Sequence, residues 1–88
     1  MPTIEEIAQG VDTDFLIFTS TFCPYCVAVK RLLKQHKLTF TEFNFDEEPS
    51  LRSEVVTKTG HRTVPVVLDL RDGIMFIGGF NETSSYLS

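Results

Sequence analysis

The chain has 88 residues, enough for one domain with one core, spanning residues 1–88, and too few for two. Hydrophobic residues make up 42% and charged residues 23%, a balance that excludes a disordered chain. A net charge of -4 excludes the basic face that a nucleic-acid binder needs, and no apolar run approaches the ~20 residues of a membrane span. The acidic start Met1-Pro2-Thr3-Ile4-Glu5-Glu6 lacks the basic region of a secretory signal, so a cytoplasmic location is expected.

Residues 3–9 fit a short amphipathic helix, with Thr3 as N-cap, Glu6 closing a capping box and Gly10 as the stop. Asp14 to Ser20 is a nearly continuous apolar run and reads as a buried central strand. Pro24 suits the first position of a helix. From there Cys26, Val29, Leu32, Leu33 and His36 share one face, and Lys30, Arg31 and Lys34 fall elsewhere. Thr39 to Phe45 reads as a period-2 strand with Phe40, Phe43 and Phe45 inward. Asp46-Glu47-Glu48-Pro49 opens a helix that runs through Leu51 and Val55 to Gly60. Val64 to Leu70 is a second apolar strand, Asp72-Gly73 signals a hairpin, and Ile74 to Ile77 returns as its partner. Gly78-Gly79 breaks that strand, and Asn81 is expected to cap a last helix ending at Leu87. The first two strands flank a helix and should run parallel; the last two should pair antiparallel. Four strands with helices on both faces make an α/β sandwich.

The only cysteines, Cys23 and Cys26, are spaced C-x-x-C between the central strand and a helix start. In a reducing compartment such a pair is catalytic or metal-binding rather than part of a disulfide framework. Cys23 lies at the helix N-terminus, where free N–H groups and the positive dipole end favour a thiolate. Cys26 lies about one turn on, on the buried face, close enough to attack a mixed disulfide on Cys23. No basic residue precedes Cys23 locally, so the helix end must supply most of the thiolate stabilisation. A structural zinc would need four ligands, and only His36 and His61 could complete the set. Two inert buried thiols are the other alternative.

Cys23-Pro24-Tyr25-Cys26, Thr59-Gly60-His61-Arg62-Thr63-Val64-Pro65 and Gly78-Gly79 together resemble the three signatures of a dithiol glutaredoxin, in the family's order and near its spacing. The resemblance implies a thioredoxin fold, with a four-stranded mixed sheet flanked by helices on both faces. It implies a cis bond at Val64-Pro65, so that the Val64 backbone pairs with the cysteinyl part of glutathione like a short strand. Thr63, Val64 and Pro65 then form one side of a glutathione site. Tyr25 packs along the tripeptide, and Arg52 or a helper such as Arg62 meets the glycine carboxylate. Gly79 and the N–H groups of Phe80 and Asn81 receive the γ-glutamyl carboxylate. Read alone, Val64-Pro65 is an ordinary strand start with proline at its edge, and Arg52 a solvated helix-surface arginine.

Three positions depart from the family pattern. Ser20 replaces the usual cation three residues before the first cysteine. Of the acidic residues usual after the double glycine, only Glu82 keeps the charge. The hairpin from Leu68 to Phe76 is longer than usual. The resemblance implies a monomeric thiol–disulfide oxidoreductase with glutathione as reductant, no bound cofactor or metal, and disulfide-bonded or glutathionylated client proteins. One alternative is a glutaredoxin-like redoxin reduced by thioredoxin reductase, which donates electrons to a client such as ribonucleotide reductase. Another is an iron–sulfur cluster carrier, against which Pro24 argues, because related cluster binders usually lack that proline.

Overall fold

The computed structural model describes residues 3–88; the first two residues of the expected single domain lie outside that range. The elements follow in the order α1 (Ile4–Gln9), β1 (Phe15–Thr19), α2 (Pro24–Gln35), β2 (Phe40–Asn44), α3 (Pro49–Thr59), β3 (Val66–Asp69), β4 (Met75–Gly78) and α4 (Phe80–Leu87). Each matches an element expected from the sequence, with ends shifted by up to three residues. The largest shift is at α3. Its helix begins at Pro49, and the acidic run before it forms the turn.

The four strands form one mixed sheet in the order β2-β1-β3-β4. β1 runs parallel to β2 and antiparallel to β3, and β4 returns antiparallel to β3. All five residues of β1 are buried because the strand is central and covered on both faces. Leu16 and Phe18 pack with Ile4 and Ile7 of α1 and with Leu51 and Val55 of α3. Phe15 and Ile17 pack with Val29 and Leu33 of α2, and Phe80 and Leu87 of α4 close that side.

Three local expectations are corrected. Phe40 does not share a face with Phe43 and Phe45: it joins the α2 side, whereas they join the α1/α3 side. Phe40 and Phe43 are an odd number of residues apart, and a strand turns such pairs to opposite faces. His36 is exposed rather than part of the buried helix face. It is the C-cap of α2, and the chain leaves the helix through Lys37 at φ 59. The N-cap of α4 is Gly79, not Asn81. Glu82 Oε1 accepts the Gly79 N–H at 2.7 Å, and the Gly79 carbonyl accepts the Thr83 N–H at 3.0 Å, so the helix begins two residues earlier.

One buried charge anchors the end of the sheet away from the cysteines. Asp69 is 5% exposed and accepts from the Arg71 guanidinium at 2.9 Å and the Tyr86 hydroxyl at 2.6 Å. These bonds, Arg71 foremost, hold its carboxyl down at about 2. The Tyr86 phenol, donating to the same carboxylate, is shifted upward. An unfolded aspartate titrates near ~3.9, so the ion cluster stabilises the fold fully above that value and loses its effect as pH falls through the folded value. Asp69→Asn should therefore cost about 2 kcal/mol at neutral pH. Urea unfolding across pH should show the gap to the parent closing below pH ~4; a gap unchanged by acid would refute this assignment.

Candidate active site

The register of the sheet assembles the site. Phe18 of β1 faces Val66 of β3, so the end of β1 and the start of β3 lie side by side. The loop after β1 carries Cys23, and the loop before β3 carries Val64-Pro65, joined by a cis peptide bond. Gly78 pairs with Val67, which brings Gly79 and the first turn of α4 to the same end.

Cys23 is the N-cap of α2, and Pro24 occupies its first turn. The two cysteines form a disulfide, with Cα atoms 5.2 Å apart. Cys26 is 2% exposed, whereas Cys23 is half-buried. A reagent from solvent therefore meets Cys23 first. The Cys26 N–H, in the first turn of the helix, points at Cys23 Sγ over 3.1 Å and is shared with the Cys23 carbonyl oxygen, also at 3.1 Å. Cys23 Sγ lies 3.9 Å from the Val64 carbonyl oxygen, so the sulfur sits directly against the cis-proline turn.

In the reduced protein that N–H and the helix dipole favour a negative sulfur. Cys23 should titrate below the free-thiol value of ~8.5. The rate of alkylation by iodoacetamide against pH reads this directly, and a midpoint at or above ~8.5 would contradict it.

The loop holding Cys23 is tied to the β2–α3 turn. The Asp46 carboxylate accepts the Thr21 N–H at 2.7 Å, and this bond chiefly lowers its pKa. Asn44 braces the same turn by accepting the Asp46 N–H at 2.7 Å. Phe22, next to Cys23, is 95% exposed, and Tyr25 is 61% exposed.

A cavity of about 200 Å³ opens at Val64, the residue whose carbonyl oxygen lies against Cys23 Sγ, and is lined by Tyr25, Thr63, Val64, Pro65, Gly79, Phe80 and Asn81, together with His61 and Glu82. Every residue expected around a tripeptide ligand lines it except Arg52. Tyr25 and Phe80, with ring centroids 6.0 Å apart, join α2 to α4 as one wall. Arg52 instead lies over the Phe45 ring, 4.9 Å from its centroid, and Asp46 feels its charge. Arg62 is exposed and also absent from the lining.

From the sequence, His61 stands out as a possible zinc ligand and as part of the signature at residues 59–65, with no role at the cavity assigned to it. Its Nε2 is hydrogen-bonded to Thr63 Oγ1 at 3.0 Å, and its ring meets Phe76 edge-on. The sole sequence signal for this is its place two residues before Thr63 in a tight turn. Gly79 fits closely among these groups: a Cβ there would lie 3.3 Å from Glu82 Oε1 and 3.5 Å from the Pro65 carbonyl oxygen.

A dithiol held at a helix start, against a cis-proline turn on a four-stranded mixed sheet, is the arrangement of thioredoxin-fold redox proteins. The chain belongs to the glutaredoxin family, whose model, described as Glutaredoxin, matches residues 15–69. Members of the family are typically thiol–disulfide oxidoreductases, and the paired Cys23 and Cys26 fit that general redox chemistry. Glutaredoxin-C2 of Arabidopsis thaliana is 40% identical over 73 residues, covering 80% of this chain and 63% of its own. Among solved structures, the dithiolic glutaredoxin 2-C-Grx1 of Trypanosoma brucei brucei aligns with a TM-score of 0.79 at 30% identity, over 97% of this chain and 86% of its own. A buckwheat glutaredoxin–glutathione complex aligns with a TM-score of 0.77 at 27% identity, over 96% of this chain and 84% of its own. The matches span 62%, 66% and 63% of the length of the first three curated relatives. Among the described residues no helix is long and apolar enough to cross a membrane.

Proposed function

We propose that the chain is a glutathione-dependent thiol–disulfide oxidoreductase acting on protein disulfides and on glutathione mixed disulfides. The observation that carries this reading is the cavity beside Cys23, which offers one peptide-like ligand two kinds of contact. The Val64 backbone next to the sulfur suits the cysteinyl part as an added strand. The start of α4, at Phe80 and Asn81, suits a carboxylate. The glutathione complex of the buckwheat relative supports the same ligand here. Glutathione enters as a reductant, not as a resident cofactor.

With a glutathionylated client, the Cys23 thiolate attacks the glutathione sulfur. The old S–S bond breaks, and the client sulfur leaves as a thiolate and takes a proton from water. A second glutathione thiolate then attacks the glutathione held on Cys23, which releases glutathione disulfide and restores the Cys23 thiolate. With a protein disulfide, Cys23 forms a mixed disulfide with the client. Cys26 loses its proton and attacks Cys23, and the client departs with both sulfurs reduced. The Cys23–Cys26 disulfide that remains is reduced by two glutathione molecules, which become glutathione disulfide.

Ser20 and the position of Arg52 outside the cavity favour a second reading, in which a thioredoxin reductase supplies the electrons. Coupled assays separate the two. Turnover with glutathione and glutathione reductase, and little with thioredoxin reductase, is the expected result. The reverse would overturn the proposal.

A further inference from the structure

β4 is an edge strand, paired on one side only, with β3. Between Gly73 and Gly78 its sequence is Ile74-Met75-Phe76-Ile77, with no charge and no proline. Soluble proteins usually guard an edge with such residues, because its unpaired N–H and C=O groups template pairing with another chain. Here Ile74 is 46%, Met75 51% and Phe76 38% exposed. The opposite edge, β2, keeps Phe40 and Phe43 half-buried.

Both faces of the β4 edge are grooved. On the α4 side a trough of about 590 Å³ runs along Met75, Ile77 and Tyr86 to Asn81 and Glu82. On the α1/α3 side a second hollow of about 220 Å³ is lined by Ile4, Leu68, Ile74 and Phe76, with Thr59 and the mutually paired Glu5 and Lys58 at its rim. A strand laid against β4 points successive side chains to opposite faces, and so into the two hollows in turn. The larger trough adjoins the cavity beside Cys23, since Asn81 and Glu82 line both.

Charge decides between occupants. The carboxylates of Asp72, in the hairpin, and of Glu82, on α4 with one oxygen capping Gly79, lie at the two ends of β4, and neither makes a salt bridge among the described residues. In an antiparallel pair of two β4 strands from two copies, Asp72 of each copy would approach Glu82 of the other, and like charges across a pair destabilise it. An extended segment with alternating apolar residues and flanking lysines or arginines meets no such repulsion.

We propose that β4 is a docking edge for the client: an extended, apolar, cation-flanked segment adjoining the client's disulfide adds to the sheet as a fifth strand while Cys23 engages the sulfur. This rests on the reading of Cys23 as the sulfur that exchanges with client disulfides. The longer Asp72-Gly73 hairpin belongs to this edge.

The test uses a synthetic peptide, Cys-Gly-Gly-Val-Thr-Val-Thr-Val-Lys-Lys, its cysteine capped with glutathione. Two further versions are N-methylated at alternate amides, one in each phase. Binding of an S-methylated copy of each is followed by NMR of the protein amides, so this arm does not depend on turnover. Expected are shifts and slowed amide exchange across Met75 to Gly78, lost in one methylation phase and kept in the other, as strand pairing requires. Met75→Lys should lower kcat/KM for the peptide about tenfold, as expected from losing roughly 1.4 kcal/mol of binding. The same variant should leave turnover of glutathionylated cysteine unchanged. Shifts confined to the Cys23 cavity, equal loss in both phases, or an unchanged kcat/KM would overturn the proposal. So would a β4-dependent dimer in sedimentation, which would assign the edge to a second copy. Failure of glutathionylated cysteine to turn over with glutathione as reductant would count against the glutathione reading alone, because the binding arm still reads the edge.

Discussion

Cys23→Ser should reduce turnover of every disulfide substrate to the uncatalysed background, whereas Cys26→Ser should keep turnover of glutathione mixed disulfides and lose that of protein disulfides. The asymmetry follows from burial and position. Cys23 caps α2, is reachable from solvent, and receives the Cys26 N–H at 3.1 Å. A thiolate there is both stabilised and accessible. Serine keeps the size of the group but has no anion at neutral pH to attack sulfur. Cys26, at 2% exposure, cannot meet a client itself. Its contribution is intramolecular attack on Cys23, which free glutathione can replace only when the bound half is glutathione. Rates for both variants with glutathionylated peptide and with an oxidised protein measure the split. Equal loss of both activities in Cys26→Ser would assign the protein to purely dithiol exchange.

The second large effect is on folding. Gly78→Ala should destabilise the domain by about 3 kcal/mol, combining backbone strain with overpacking. Gly78 has φ +133, a conformation that side chains rarely adopt, and a Cβ there would lie 2.8 Å from both Cβ and Cγ of Glu82. Those atoms are near the α4 backbone and have little room to retreat. Shifting Glu82 also disturbs the carboxylate that caps Gly79. For a domain of this size the melting temperature should fall by roughly 10–25 °C. Gly60 is the control. Its φ is +73, and a Cβ there would have no neighbour within 4 Å, so alanine meets strain without a clash. Combining Gly78→Ala with Glu82→Ala removes the Cγ and Oε1 contacts but keeps the one with the Cβ of residue 82, so it should relieve the clash only in part and leave the strain. If Gly60→Ala and Gly78→Ala melt alike, the contact with Glu82 carries no weight.

Much of this architecture can be read from the chain because its local signals agree. The apolar run at Phe15 to Phe18 reads as a strand covered on both faces, and it lies at the centre of the sheet. Thr3 and Glu6 form the expected reciprocal capping box. Cys23-Pro24 ahead of an amphipathic stretch fixes the start of α2 and with it the site. Phe40 is misplaced when apolar character is followed instead of spacing: it lies three residues from Phe43, and strand alternation puts the two on opposite faces. Tertiary geometry limits the rest. Asn81 looks like an N-cap because asparagine is a good one, but Glu82 reaches Gly79 first. Arg52 can be matched to a position in a motif, yet its guanidinium lies over Phe45, in the connection between β2 and α3, and not at the cavity. His61 enters the cavity because its ring folds back onto Thr63, a contact that spacing alone does not announce.

Glutathione occupying the cavity beside Cys23 is the central claim, and Cys26→Ser treated with glutathione disulfide tests it most directly. Intact mass and peptide mapping report where glutathione attaches, and NMR of the adduct reports what it touches. The expected result is one glutathione on Cys23, with shifts at Thr63, Val64, Gly79, Phe80 and Asn81. No adduct, or an adduct whose shifts stay on the exposed loop around Phe22 and leave those five residues unmoved, would contradict it.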